Sequence, residues 1–318
     1  MEKKNMMNRT FAIATALLLA GAAAASARPL NVVATTPDLA DITRQVGGDL
    51  VKVVSIARGT EDIHQVVMRP SFVTKLNRAQ AVVYYGLTVE HAYLPGLLAV
   101  AANPAMRENE VKECVGSGCI DCSEGLRIMD KPADLSRAEG EQHPFGNPHY
   151  NMDPAEGPRI ASVIARRLGE IDPAHKAEYR KNLEAYLAVL EPKIAEWRRE
   201  AEVLRGVKAV SVHEDVAYLG RFTGIDFVGT LEPKPGVAPT PSHLAELVGL
   251  MKARGVKLIV REQQYSPKQC EWLAAQTGAK VAVIGTMANA FPGTDSFIKM
   301  SEHNLNAILS AVKKAVKK

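Results

Sequence analysis

Apolar positions along this chain follow two periods, and the switches between them lay out an architecture. Leu30 to Thr36 reads as a buried strand, ended by Pro37. Asp38 to Val46 carries helical spacing and stops at Gly47-Gly48. Val51 to Ala57 and Ala81 to Tyr85 read as further strands, with a helix between them opened by Pro70 and capped by Ser71. Strands alternating with helices at this spacing predict a parallel sheet covered on both faces.

Residues 103–148 break the pattern. They are rich in Gly, Pro, Cys and charge, with only short apolar runs such as Leu126 to Met129, and predict a long, partly irregular excursion. Helical spacing returns at Pro154, where Ile160, Val163, Ile164 and Leu168 share a face. From Asp172-Pro173 to about Leu204, the residues Tyr179, Leu183, Tyr186, Leu190, Ile194, Trp197, Ala201 and Leu204 recur at steps of three and four. At ~1.5 Å per residue this helix is on the order of 45 Å long, the length of a whole domain. Pro192 inside it predicts a kink, or else two helices broken there.

Beyond Gly206 the alternation restarts. Strands are expected at Lys208 to Val212, Phe227 to Leu231, Val256 to Val260 and Val281 to Ile284. Helices are expected from Ser242, which would cap the first, from Pro267 and from Asp295. The expected fold is α/β with two lobes, each a parallel sheet covered by helices. An N-terminal lobe spans 28–170, a long linker helix 171–205 and a C-terminal lobe 206–318, with a cleft between the lobes.

Composition narrows the setting. Of the 318 residues, 47% are hydrophobic and 23% charged, which is globular and not disordered. The net charge of +4 is too small to argue for nucleic acid or an anionic membrane. In residues 1–27, Lys3, Lys4 and Arg9 precede the apolar stretch Phe11 to Ala25, and Ala25-Ser26-Ala27 makes a small-residue cleavage site. That is the pattern of a cleavable signal peptide, too short for a stable span and without a nearby cysteine for a lipid anchor. A soluble periplasmic monomer is expected.

In open parallel sheets, ligands sit beyond the carboxyl ends of the strands. His64 follows the second strand, His213 follows the first strand of the second half, and Glu262 follows a later one. His149 lies in a loop stiffened by Pro144, Gly146 and Pro148, six residues after His143. Three imidazoles and a carboxylate suit Zn²⁺, with Zn–N bonds of ~2.0–2.1 Å. No local spacing is diagnostic here, and a histidine after a strand also serves as a cap or core residue.

The motifs in combination carry more. Gly59-Thr60-Glu61-Asp62-Ile63-His64, Arg69-Pro70-Ser71 and Tyr85-Gly86-Leu87-Thr88-Val89-Glu90 resemble the first-ligand region of metal-specific solute-binding proteins of ABC importers, the zinc- and manganese-binding class. Gly146-Asn147-Pro148-His149-Tyr150-Asn151-Met152-Asp153-Pro154 resembles their second-ligand motif, and Val210-Ser211-Val212-His213-Glu214-Asp215 the third. The resemblance runs from about Leu30 to Val316. It implies two α/β lobes joined by a rigid helix with the metal between them, ligand roles for His64, His149 and His213, and a membrane permease as partner. Many members place an acidic residue after the last strand of the second lobe, where this chain reads Val283 to Asn289 without one. Glu262 is the expected fourth ligand, with Asp295, Glu61 or a water as alternatives. This set favours zinc over manganese, which prefers more carboxylate.

His143 reads either as an auxiliary metal collector or as a plain loop histidine. His91, His175, His243 and His303 read as surface or packing residues. Cys114, Cys119 and Cys122 suggest a disulfide in an oxidising compartment, or a second zinc site with His143, while Cys270 stands apart as a candidate free thiol. The leading function is a receptor that captures zinc and delivers it to a permease. The competing reading is a zinc hydrolase with Glu262 as general base, although no His-x3-His helix pair is present. An iron- or manganese-specific receptor of the same class is the other alternative. An adhesin or structural protein finds no repeats or β-rich pattern to support it.

Overall fold

Residues 28–132 and 143–316 are described in a computed structural model; the expected signal segment 1–27 and part of the 103–148 excursion lie outside them. The first sheet is built from β1 (Leu30–Ala34), β2 (Val51–Ser55), β3 (Ala81–Tyr84) and β6 (Cys119–Asp121), in the order β2-β1-β3-β6 and parallel throughout. The intervening helices are α1 (Pro37–Gly47), α2 (Pro70–Arg78) and α3 (Leu94–Ala101). β4 (Arg107–Asn109) and β5 (Glu113–Val115) pair as an antiparallel hairpin. The excursion is therefore less irregular than its composition predicts, since Cys119, Ile120 and Asp121 complete the sheet against Val82, Val83 and Tyr84. The strand is three residues long, too short to leave a periodic signal.

A disulfide joins Cys114 to Cys119, whose Cα atoms are 5.9 Å apart. Cys122 and Cys270 are free and buried, so a second zinc on the three neighbouring cysteines is not what this region builds.

α4 (Gly157–Ile171) leads into the linker, α5 (Lys176–Ala201), which short 3-10 turns extend at Pro173–His175 and Glu202–Leu204. Pro192 lies inside α5 without breaking it. Tyr179, Tyr186, Leu190, Ile194, Trp197 and Ala201 form its buried face. The other face carries exposed ion pairs such as Arg180 with Glu184 at 3.1 Å.

The second sheet has the order β10-β9-β7-β8, from β7 (Lys208–Ser211), β8 (Asp226–Thr230), β9 (Leu258–Glu262) and β10 (Lys280–Ile284), again parallel. Its helices are α6 (Ala217–Thr223), α7 (Pro241–Arg254), α8 (Pro267–Thr277) and α9 (Phe297–Val316). Two caps differ from expectation. Thr240, not Ser242, accepts from the His243 amide at the start of α7, and α2 begins at Pro70 without a side-chain cap. In both cases proline takes the first helical position, where its missing N–H costs nothing.

One apolar core runs through both lobes along α5, from Val32 and Leu39 through Leu190 and Trp197 to Phe297 and Ile308. A smaller core around Val210, Leu247, Met251 and Leu273 belongs to the second lobe. Polar bonds fasten the lobes as well. Asp41 on α1 accepts from the Phe297 amide at the head of α9 (2.9 Å), and Asn151 donates to the Thr286 carbonyl (2.7 Å). The carboxyl ends of β2, β3, β7, β8 and β9 consequently face one cleft.

Candidate metal centre

His64 sits in a 3-10 turn after β2 whose start is capped by Asp62, which accepts from the His64 amide at 2.9 Å. His149 is fixed by its own loop. Asn147 accepts the His149 amide (3.0 Å) and donates to the Glu214 carbonyl (3.0 Å), while Tyr218 donates its hydroxyl to the Asn147 carbonyl (3.1 Å). Downstream, Arg221 grips Asp153 (2.8 Å) and Glu156 (2.6 Å) from α6. His213 follows β7 directly, and its Nδ1 donates to Glu232, 2.7 Å away beyond β8.

These three rings converge and are all buried. His64 Nε2 and His149 Nε2 are 3.3 Å apart. The His213 ring centre lies 5.7 Å from that of His64 and 5.6 Å from that of His149. His143 joins them, its ring centre 5.0 Å from His64 and 5.9 Å from His149. One ring nitrogen each of His64, His143 and His149 lie within 4.8 Å of one another. An inner cavity of about 10 Å³, room for a single small ion, touches Asp62, His64, His149, His213, Asp215 and Tyr265. An outer cavity of about 160 Å³, lined by Asp130, His143, His149 and His213, leads to the surface.

Electrostatics keep most of the imidazoles neutral. Burial, then the neighbouring imidazoles, push His64 and His149 well below the ordinary histidine range. His143 is pushed down to about 3 by burial and by His91 and His213. His213 differs: burial works against its charge, but the Glu232 hydrogen bond and the Asp215 charge raise it to about 9. Three neutral imidazoles present lone pairs, and carboxylates cluster on the His213 side.

The carboxylates expected to supply a fourth ligand are placed elsewhere. Glu262 is fully buried but lines neither cavity, and neither of its carboxyl oxygens finds a hydrogen-bond partner among the described residues. Burial and then the Asp215 charge hold its carboxyl well above the usual range. Asp295 pairs with Lys299 at 2.7 Å on an exposed surface, and Glu61 accepts the Arg58 amide at 2.9 Å. Asp215, two residues beyond His213, is quoted in the third motif without a role of its own, and Glu232, in the proline-rich loop after β8, is assigned none. An acidic residue two positions after a strand-end histidine was the available signal for the first. Of the remaining histidines, His175 pairs with Asp172 (2.7 Å), His243 bonds the Thr230 carbonyl (3.0 Å) and His303 stacks on Phe291.

A family model described as zinc-uptake complex component A, periplasmic, matches residues 32–311. A metal ABC transporter substrate-binding lipoprotein of Streptococcus cristatus is 26% identical over 290 residues, covering 90% of this chain and 89% of that protein. A manganese ABC transporter substrate-binding lipoprotein of Streptococcus gordonii is 26% identical over 294 residues, 91% of each chain. The high-affinity zinc uptake system protein ZnuA of Brucella suis is 26% identical over 167 residues, 52% of this chain and 50% of that protein. A crystal structure of ZnuA superposes with a TM-score of 0.70 at 26% identity, over 91% of this chain and 98% of that one. The manganese-bound periplasmic metal-binding protein of Candidatus Liberibacter asiaticus, at 19% identity, shares the fold with a TM-score of 0.71, over 88% of this chain and 98% of that one.

Proposed function

The chain belongs to the family of the periplasmic zinc-uptake complex component A, and on that premise we propose that it captures Zn²⁺ outside the cytoplasmic membrane and passes it to an ABC permease. It is a substrate-binding protein and not an enzyme, so the hydrolase alternative falls away. The metal is cargo, held by coordination alone.

The observation that carries the zinc reading is the 3.3 Å separation of His64 Nε2 and His149 Nε2. Two Zn–N bonds of ~2.0–2.1 Å at a tetrahedral angle set their nitrogens about 3.3–3.4 Å apart. The pair is thus spaced as one edge of a zinc tetrahedron. His213, its Nδ1 committed to Glu232, keeps Nε2 for the third vertex. The carboxylate on the far ring nitrogen fixes the tautomer and raises the basicity of the ligating one. Imidazole nitrogen suits zinc, whereas Mn²⁺ prefers oxygen donors. Relatives named for manganese make this the point to test. Calorimetric titration of metal-free protein is expected to give one tight zinc site that a large excess of Mn²⁺ fails to displace. Preferential manganese binding would overturn the zinc assignment.

The shared core along α5 opposes a wide hinge motion, so release would proceed through local movement of the loops around His64, His149 and His213.

A further inference from the structure

We propose that His143 is a fourth direct ligand, which makes the cargo site an all-imidazole, four-nitrogen centre; this rests on the zinc-capture reading above. Three observations lead there. First, a His143 ring nitrogen shares the 4.8 Å cluster with His64 and His149, and the His213 ring centre lies 5.7 Å and 5.6 Å from theirs.

Second, the ring is aimed. His143 Nδ1 is 3.3 Å from Thr88 Oγ1, and the Thr88 hydroxyl spends its own proton on the Leu87 carbonyl at 2.6 Å. The hydroxyl oxygen is left as an acceptor for Nδ1–H, which puts the free lone pair of His143 on Nε2. Thr88 is itself held in a backbone conformation that β-branched residues rarely adopt, with φ 69°, and its amide donates to the buried Glu113 carboxylate at 3.1 Å. A strained threonine anchored on a buried acid and bonded to a histidine is the arrangement that orients a metal-binding imidazole.

Third, His143 closes its own turn, its carbonyl accepting from the Gly146 amide at 3.0 Å. Gly146 has φ 109°, and a Cβ there would come within 2.4 Å of Ile128 and 2.8 Å of the Met129 carbonyl. The turn is therefore packed against Ile128 and Met129, which holds His143 in the lining of the outer cavity beside His149 and His213.

The chemical consequence is selectivity. Four imidazole nitrogens leave no oxygen donor, which disfavours Mn²⁺ more strongly than a three-histidine site completed by Asp215 or water.

X-ray absorption at the zinc edge on the zinc-loaded full chain, compared with His143→Ala and Thr88→Val, tests this. The wild-type spectrum is expected to show four imidazole nitrogens, and His143→Ala three nitrogens with one oxygen. Zinc affinity should drop on the order of 10–100-fold or more in His143→Ala, and by about tenfold in Thr88→Val, which removes only the orienting hydroxyl. Unchanged thermal melting of each metal-free variant establishes that folding is intact. Three nitrogens and an oxygen in the wild type, or an unaltered spectrum in His143→Ala, overturns the fourth ligand while leaving zinc capture standing. Absence of zinc binding by the wild type overturns both.

Discussion

Glu232 accepts a hydrogen bond from His213 Nδ1 at 2.7 Å, and both side chains are buried. The bond crosses from the end of β8 to the end of β7 and decides which face of the imidazole meets the cleft. Glu232→Ala frees the ring to rotate and removes the partner that raises its basicity. Zinc affinity should fall on the order of 10–100-fold with little change in fold, measured by competition against a chelating dye.

Glu262 separates the expectation from the sequence from the arrangement found. A ligand carboxylate could not become an amide without a large loss of affinity. Here the carboxyl lines neither cavity, and burial and the Asp215 charge hold it well above the usual range. Glu262→Gln takes no carboxylate from the cavity lining, so zinc affinity should stay within about tenfold of wild type, the lower bound for disturbing an orienting residue. Asp215→Ala should cost more, because it removes the charge beside His213 that helps raise it to about 9.

Metal-free protein should lose stability in acid. His64 and His149 are depressed well below the ordinary value of 6.5 by burial and then by neighbouring imidazoles, His143 and His213 for the first and His64, His213 and His143 for the second. The unfolded chain then binds more protons below that value, so their contribution is complete above about pH 6.5 and is lost as pH falls beneath it. His213 has the opposite sign: raised to about 9, it contributes fully below 6.5 and loses its contribution as pH rises through 9. Urea midpoints of the metal-free chain should therefore peak near pH 6.5, falling on the acid side through His64 and His149 and on the alkaline side through His213. Each depressed imidazole removes at most ~1.4 kcal/mol per pH unit on the acid side.

The linker carries a packing test. A Cβ on Gly157, at the head of α4, would come within 2.7 Å of the Phe297 ring and 2.9 Å of Leu190. That point joins α4, α5 and α9 across the lobes. Gly157→Ala should destabilise the protein by about 1–3 kcal/mol through overpacking, read from urea unfolding.

The two-sheet plan was legible because short β-branched and apolar runs such as Val32 to Ala34, Ala81 to Tyr84 and Leu258 to Val260 alternate with helical spacing, as parallel strands covered by helices require. The long linker was legible from eight residues repeating at three and four, and Pro192 proved compatible with a continuous helix. His64 and His213 could be placed beyond strand ends by the same reading. Their mutual approach could not, because it depends on how far one sheet is rotated against the other. β6 hid in a three-residue strand, and the Asp215–Glu262 pair hid because a buried acid leaves no period. Thr88 was quoted within a motif, yet its left-handed backbone is invisible in a letter code that usually assigns that conformation to glycine.

The central claim is that His64, His149 and His213 hold zinc together in the cleft. Anomalous diffraction at the zinc edge, from crystals of protein loaded with one equivalent of Zn²⁺, tests it most directly. The account predicts a single strong peak ~2.0–2.1 Å from one nitrogen of each of the three rings. A peak elsewhere on the chain, or one in the cleft that leaves any of the three rings beyond bonding distance, would contradict it.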